Sequence, residues 1–210
     1  MAEKGPARPG TCGFGLRPNQ TTVRMFFVSP RDYARTLCTI YTGWFKDGGV
    51  TDVRRVESIS RKQPGLVNFD VDVSPDGSTL IFVDSRFKPG SGPQFAHLVL
   101  AVWDGTNFVR SPDSDHLLAS VNQAGLNYAP TISASRRTLF FTRFDPRAGF
   151  QGPQIYRATR PTVTVPFDPP EHLAGLGDYV EGTALGPGER LLYFHRQDGG
   201  KFHLYVISLR

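Results

Sequence analysis

A unit of strand, turn and strand recurs along this chain and limits the folds that the chain can adopt. In the clearest copy, apolar and acidic residues alternate at 69–73, and an unbroken apolar run follows at 80–83. A turn tetrad separates the two stretches, namely Ser74, Pro75, Asp76 and Gly77. Alternation predicts a strand with one apolar face, whereas an unbroken run predicts a strand covered on both faces. Proline, aspartate and glycine in this order favour a tight turn.

The unit is found again in three other stretches, at 14–27, 127–141 and 181–194, with matched residues 52 to 59 positions apart. The matched motif positions are Ser74 with Ser133, and Phe82 with Phe141 and Tyr193. Further strand-like runs follow each copy, so that a full unit holds four strands and the last unit holds three. The fourth strands of the second and third units are predicted at 116–122 and 162–167.

Four-stranded antiparallel units at such a spacing predict a β-propeller, in which each unit forms one blade. One blade is too small to bury both of its faces alone, so neighbouring blades must cover them. We therefore expect an all-β chain with about four blades, the last one incomplete. The predicted boundaries are 1–13 for a disordered tail and 14–62, 66–123, 126–175 and 178–210 for the blades. A β-sandwich is the alternative, but it would not require internal sequence similarity.

The second copy of the unit carries a family likeness. Its tetrad at 74–77 and the tripeptide at 84–86, Asp-Ser-Arg, resemble the WD40-like propeller repeat called PD40. The resemblance implies a TolB-like propeller, and with it a non-catalytic role in binding proteins and a periplasmic or other bacterial envelope location. The same repeat occurs in propellers of prolyl-oligopeptidase-type enzymes, which implies an enzyme domain or fragment as the alternative. The chain has no Gly-x-Ser-x-Gly motif, so the hydrolase activity does not carry over.

The number of blades raises a question of closure. Propellers with this repeat generally have more blades than this chain encodes, so we expect an open arc or a fragment of a larger propeller. A closed ring of four blades is the alternative. An open arc exposes the flat apolar faces of its terminal blades, and exposed patches of this kind mark interfaces. A protein partner, or self-association through the open faces, is therefore expected.

Charged residues near the ends of the second and neighbouring strands predict a binding rim, because loops on a rigid scaffold concentrate binding residues. The predicted rim residues are Asp84, Arg86, Arg143, Arg196 and Asp198. Ordinary turn polarity explains the same residues equally well.

A histidine pair suggests a metal site in the last unit. A five-residue loop at 197–201 would set His195 opposite His203, with Asp198 as a third ligand for a divalent metal. Such a site would favour a metal-dependent, lyase-like propeller enzyme. The alternative is two histidines on an outer hairpin without a metal, and no other cofactor is predicted.

Charge and cysteine content narrow the partners further. The net charge is +5, but the basic residues form scattered pairs rather than a patch, so nucleic acid is not the expected partner. No apolar run approaches the ~18–20 residues that a membrane span needs. Cys12 and Cys38 are compatible with one disulfide or with two free thiols.

Overall fold

The computed structural model describes residues 13–14, 22–32, 34, 38–61, 63, 65–87 and 90–209. Over these residues the chain forms fifteen strands in four antiparallel sheets, three with four strands and one with three. In each sheet the strands are neighbours in the order of the sequence. This is a partial β-propeller, so the predicted all-β fold with an incomplete last blade is confirmed. The predicted tail falls almost entirely outside the described residues.

The blades follow one another along the chain. Blade one contains β1 (Gly13–Phe14), β2 (Thr22–Ser29), β3 (Thr39–Lys46) and β4 (Gly49–Arg55). Blade two contains β5 (Leu66–Val73), β6 (Thr79–Phe87), β7 (Pro93–Trp103) and β8 (Phe108–Arg110). Blade three contains β9 (Leu126–Ile132), β10 (Thr138–Phe144), β11 (Gln154–Thr159) and β12 (Glu171–His172). Blade four contains β13 (Val180–Leu185), β14 (Leu191–Asp198) and β15 (Lys201–Ser208).

The fourth strands of blades two and three do not lie where the sequence predicted them. They are the short strands β8 and β12, and 116–122 instead spans the end of a helical turn, α1 (Ser114–Leu117), and a 3-10 turn. The apolar residues of that stretch are buried between the blades. The segment at 162–167 forms no strand, and the amide of Phe167 donates to the carbonyl of Leu117 at 3.0 Å. Both segments that were predicted as strands therefore fill the core between the blades and do not form edge strands.

Three apolar clusters hold the blades together, one at each junction. Phe82 packs against Phe26 between blades one and two, and Phe141 packs with Leu98 between blades two and three. Phe194 occupies the third cluster, between blades three and four. In β6 the residues from Thr79 to Ser85 are all buried, as the unbroken apolar run predicted. The core therefore lies between stacked blades and not inside any one of them.

A β-bulge recurs at the same place in blades two, three and four. The bulged pairs of residues lie opposite Phe82, Phe141 and Phe194, and their first members are Asp70, Ala129 and Gly182. All three first members have positive φ angles, of 46°, 45° and 72°. The match predicted for Tyr193 is thus corrected by one residue: Tyr193 pairs with Ala184 and stays partly exposed, whereas Phe194 is the buried equivalent of Phe141.

The turn that the tetrad predicted is built by side-chain hydrogen bonds. Ser74 Oγ accepts from the amide of Thr79 at 3.0 Å and donates to the carboxylate of Asp76 at 2.5 Å. Ser133 accepts from the amide of Thr138 at 3.0 Å in the same way. Glycine's place, with φ 72° in Gly77, is taken in blades three and four by Arg136 and Glu189, both with φ 57°. The turn geometry is thus kept in blades three and four, although both lack the tetrad of serine, proline, aspartate and glycine.

Neighbouring inner strands are also tied through a buried carboxylate. Asp72 on β5 accepts from the amide of Ile132 at 2.9 Å and from the hydroxyl of Thr131 at 3.0 Å, both on β9. Burial raises the pKa of Asp72 to about 6, although these hydrogen bonds oppose the shift. This carboxylate therefore links blade two to blade three.

Candidate interaction surfaces

Three of the predicted rim residues lie at one position of the repeat. Asp84, Arg143 and Arg196 pair across the sheet with Asn68, Asn127 and Val180 respectively. Each of the three side chains contacts groups of its own blade or blade junction. They do not converge on a common rim, and each must be considered by itself.

Asp84 is buried and forms a network with two arginines. Its carboxylate accepts from Arg61 at 3.0 Å and from Arg110 at 2.7 and 2.8 Å. The amide of Asn68 donates to the same carboxylate, and Arg110 also donates to the carbonyl of Ile59 at 2.9 and 2.6 Å. Asp84 therefore anchors the segment that connects blades one and two. Asp84 is a structural residue, whereas Arg86, two positions further on, is exposed.

Arg143 is likewise held inside the fold. Its guanidinium donates to the side chain of Asn127 at 2.9 Å and to the carbonyl of Val121 at 2.7 Å. It lies 4.6 Å from the ring centroid of Tyr156, and burial lowers its pKa. Arg143 is thus engaged in holding the 3-10 turn against blade three.

Arg196 and Asp198 form a partly exposed pair at the end of β14. The guanidinium donates to both carboxylate oxygens at 3.0 Å and lies 3.8 Å from the ring of Tyr205. The hydroxyl of Tyr205 donates to Asp198, and this bond is the main reason that the pKa of Asp198 lies below its usual range. With Arg86, this pair is what remains of the predicted rim at the surface.

The predicted metal pair is not brought together. Strands β14 and β15 are joined by a two-residue turn at 199–200, so that His195 lies opposite Leu204 and His203 opposite Arg196. Successive residues of a strand point to opposite faces, so the two imidazoles lie on different faces of blade four. Within the described part of the chain, no group of three or more histidine, cysteine, aspartate or glutamate side chains is placed to hold a metal.

Open apolar faces were predicted on the terminal blades, and the outer face of blade four is a surface of this kind. Its apolar residues on β15 are Phe202, Leu204 and Val206, with exposed fractions of 47%, 66% and 50%. Tyr193 and His195 lie beside them on β14, opposite Val206 and Leu204. We call these five residues the blade-four face. Their alternation at 202, 204 and 206 was the available sequence signal.

The corresponding face of blade two shows what normally covers such residues. By their pairing with the second strand, Ala96, Leu98 and Leu100 on β7 are the equivalents of Phe202, Leu204 and Val206. These three residues are only 2%, 1% and 3% exposed, because blade three packs on them. The blade-four face therefore has the position of a blade-stacking face, and no blade formed by the described residues lies on it.

A second surface is a groove of about 940 Å³ between blades one and two. Both tryptophans of the chain line it, Trp44 from β3 and Trp103 from β7, with exposed fractions of 39% and 38%. Arg24 from β2 and Arg54 from β4 supply positive charge, and Phe108 forms part of its wall. We call this the Arg24 groove. The convergence of these residues could not be predicted from the sequence, because they come from different strands of two blades.

Two predictions about the rest of the chain have partial answers. Cys38 carries a free, partly buried thiol whose pKa is raised by burial, and Cys12 lies outside the described residues. None of the helices within the described residues has the length and apolar character that a membrane crossing requires.

Comparison with known proteins supports the fold. No family model and no curated protein matches the sequence. Among solved structures, TolB from Acinetobacter baumannii matches with a TM-score of 0.55 and 15% identity over 95% of this chain. A putative TolB from Agrobacterium tumefaciens matches with a TM-score of 0.53 and 11% identity over 95%. An endo-arabinase from Bacteroides thetaiotaomicron matches with a TM-score of 0.50 and 12% identity over 91%.

These likenesses define a class by fold, the β-propellers, and they do not extend to activity, because the neighbours include an enzyme. The chain spans 41% of the first TolB, 58% of the second and 72% of the arabinase. The PD40 resemblance stays a prediction, whereas the likeness to TolB-type propellers in fold is established.

Proposed function

We propose that this chain is a non-catalytic β-propeller scaffold that binds another protein through the blade-four face. The observation that carries the proposal is the contrast between repeat-equivalent residues. Leu204 is 66% exposed, whereas Leu98 at the same position of blade two is 1% exposed. An apolar sheet face in this position is stabilised by a further sheet stacked on it.

The occupant that fits this face is a further β-sheet blade, and we propose that a different polypeptide supplies it. Apart from His195, the residues of the blade-four face are aromatic or aliphatic, and the face thus suits an apolar sheet and not a charged helix or nucleic acid. Among the described residues, strand β15 has no neighbour on its outer edge, so this edge can accept a strand of the same partner. Both contacts would be made by one rigid surface, with no bond made or broken.

The resemblance to TolB-like propellers supports a bacterial envelope setting for this interaction, with an envelope protein as the partner. The enzymatic alternative, a peptidase-type or lyase-like propeller, stays a prediction. Among the described residues, no group of three or more histidine, cysteine, aspartate or glutamate side chains is placed to hold the metal that a lyase-like propeller would need.

Site-specific photo-crosslinking in the source cells tests the proposal. A photoreactive phenylalanine at position 204 should give one dominant adduct with another protein, and the same group at exposed Val163 should not. The crosslinked protein is then purified and its binding measured. We expect Leu204→Arg to weaken the affinity by about tenfold or more, as for a residue at the centre of an interface.

Two results would overturn the proposal. One is equal crosslinking from positions 204 and 163, or none from 204. The other is a dimer of the purified chain in light scattering that Leu204→Arg dissociates, because the occupant would then be a second copy.

A further inference from the structure

The Arg24 groove contains a guanidinium whose orientation is fixed before any ligand arrives. The Nε of Arg24 donates to the hydroxyl of Thr42 at 3.1 Å. The guanidinium carbon lies 5.1 Å from the ring centroid of Phe26, 5.0 Å from that of Trp103 and 5.7 Å from that of Phe108. Aromatic rings at these distances attract a guanidinium through cation–π interactions and limit the rotamers of the arginine side chain.

The two terminal nitrogens of Arg24 remain available. Among the described residues, no side chain or carbonyl accepts a hydrogen bond from them, and no carboxylate lies within ion-pair distance. Burial lowers the pKa of Arg24, and the charge of Arg54 lowers it further. Two guanidiniums that repel each other in a groove bind an anion favourably, because the anion offsets their repulsion.

The neighbouring Arg55 is an example of a guanidinium with ion-pair partners in this part of the fold. It pairs with Asp32 at 2.8 Å and with Glu57 at 2.6 Å, and is therefore already neutralised. Arg24 and Arg54 have no such partners among the described residues. Two arginines without an ion-pair partner among the described residues thus lie beside two tryptophans, and Asp52 also lines the groove.

We propose that the Arg24 groove is a recognition site for the carboxylate of an acidic peptide segment. The fork of Arg24 takes the carboxylate in a bidentate pair, and Arg54 supplies a second charge-assisted contact. Trp44 and Trp103 cover the apolar parts of the segment, and tryptophan and arginine are the residue types that dominate binding energy at protein interfaces.

The groups that pack against the ring of Trp103 favour a carboxylate ligand over a nucleic-acid base or a sugar. One side of the ring is approached by Arg24 at 5.0 Å, and Phe108 packs edge-on against it with centroids 5.2 Å apart. The ring is therefore not an open platform for stacking. This site is separate from the blade-four face and does not depend on the role proposed for that face.

Intrinsic fluorescence tests the site directly, because both tryptophans of the chain line the groove. The probe is a pentapeptide of alanine, glutamate, leucine, glutamate and alanine with both ends blocked. The matched probe has glutamine in place of glutamate. We expect a saturable change in fluorescence with the first probe and an affinity about tenfold lower with the second, because the hydrogen bonds to a charged carboxylate are then lost.

Variants separate the carboxylate contact from simple attraction. Arg24→Lys keeps the charge but loses the fork, so it should weaken the acidic probe several-fold while leaving the glutamine probe unchanged. Arg54→Glu is a change at an exposed position and should abolish binding of the acidic probe. The control is Arg190→Glu, an exposed arginine in blade four, which should bind like the wild type. Thermal melting of each variant reports whether it is folded.

Three outcomes would overturn the proposal: no fluorescence change with the acidic probe, equal affinity for both probes, or equal binding by folded Arg54→Glu and wild type. A neutral oligosaccharide or a single-stranded oligonucleotide that binds equally well to wild type and Arg24→Lys would also contradict it. The groove would then belong to a different class of ligand.

Discussion

Single residues in this fold show that charge alone does not report where a side chain points. Asp84 and Arg143 are repeat-equivalent and opposite in charge, yet both turn inward and bond to the equivalent residues Asn68 and Asn127. The two asparagines lie 59 residues apart, as do Asp84 and Arg143. The repeated pairing with asparagine therefore indicated that these positions are structural. A binding residue at the rim does not need the same internal partner in each blade.

A pH dependence follows from the buried carboxylate of Asp72. Its pKa is raised to about 6 in the fold, so the protonated form is favoured in the folded state. Its stabilising contribution is present below pH ~4 and is lost as pH rises through about 6, an effect of about 2–3 kcal/mol. We expect Asp72→Asn to remove this loss, so that urea unfolding of the variant changes less between pH 4.5 and 7.5.

Asp76 provides the contrasting control. Burial alone would raise its pKa, but hydrogen bonds from Ser74 and Ser78 lower it overall. Its contribution is therefore present at neutral pH and is lost in acid, so Asp76→Asn should destabilise the chain above pH ~4. A wild type and an Asp72→Asn variant with the same pH profile would contradict the role given to Asp72.

At the scale of elements, the sequence predicted the strands of the motif well and their phase less well. The turn tetrad and the buried second strand were predicted correctly because each depends on local chemistry. The aromatic position of blade four was displaced by one residue, since Leu191 and Leu192 both fit the match to Leu139. The β-bulge opposite Phe194 determines that Phe194, and not Tyr193, faces the core, and a bulge cannot be recognised in a single sequence.

Paired substitutions test this phase. Phe194 is 2% exposed within the third core cluster, so Phe194→Ala should cost about 3–5 kcal/mol of unfolding free energy. Tyr193→Ala removes a partly exposed ring from the opposite face and should cost clearly less. Chemical denaturation of both variants measures the difference. Equal losses, or a larger loss for Tyr193→Ala, would show that the strand is in the other phase.

The outer strands were the elements that the sequence could not place. β8 has three residues and β12 has two, which is too short for a detectable alternation. The longer apolar stretches beside them were therefore taken for strands. Their buried residues, such as Leu118 and Phe167, instead fill the junction of blades two and three. Tertiary packing therefore determined that these segments fill the core and do not form strands.

At the scale of the whole molecule, repetition was the most informative property of the sequence. It predicted stacked antiparallel blades, which the structure contains, but it could not predict which surfaces the stack leaves open. The blade-four face and the Arg24 groove both arise between or beside blades, from residues far apart in the chain. Their positions therefore depend on the register and twist of whole sheets.

The blades stack on one another, and none of the described residues forms a blade that covers blade four. Carbene footprinting of the monomeric chain tests this arrangement on two equivalent leucines, Leu204 in blade four and Leu98 in blade two. Exposed fractions of 66% and 1% predict strong labelling of Leu204 and almost none of Leu98. Equal protection of both leucines in the monomer would contradict the account, because blade four would then be covered within the chain itself.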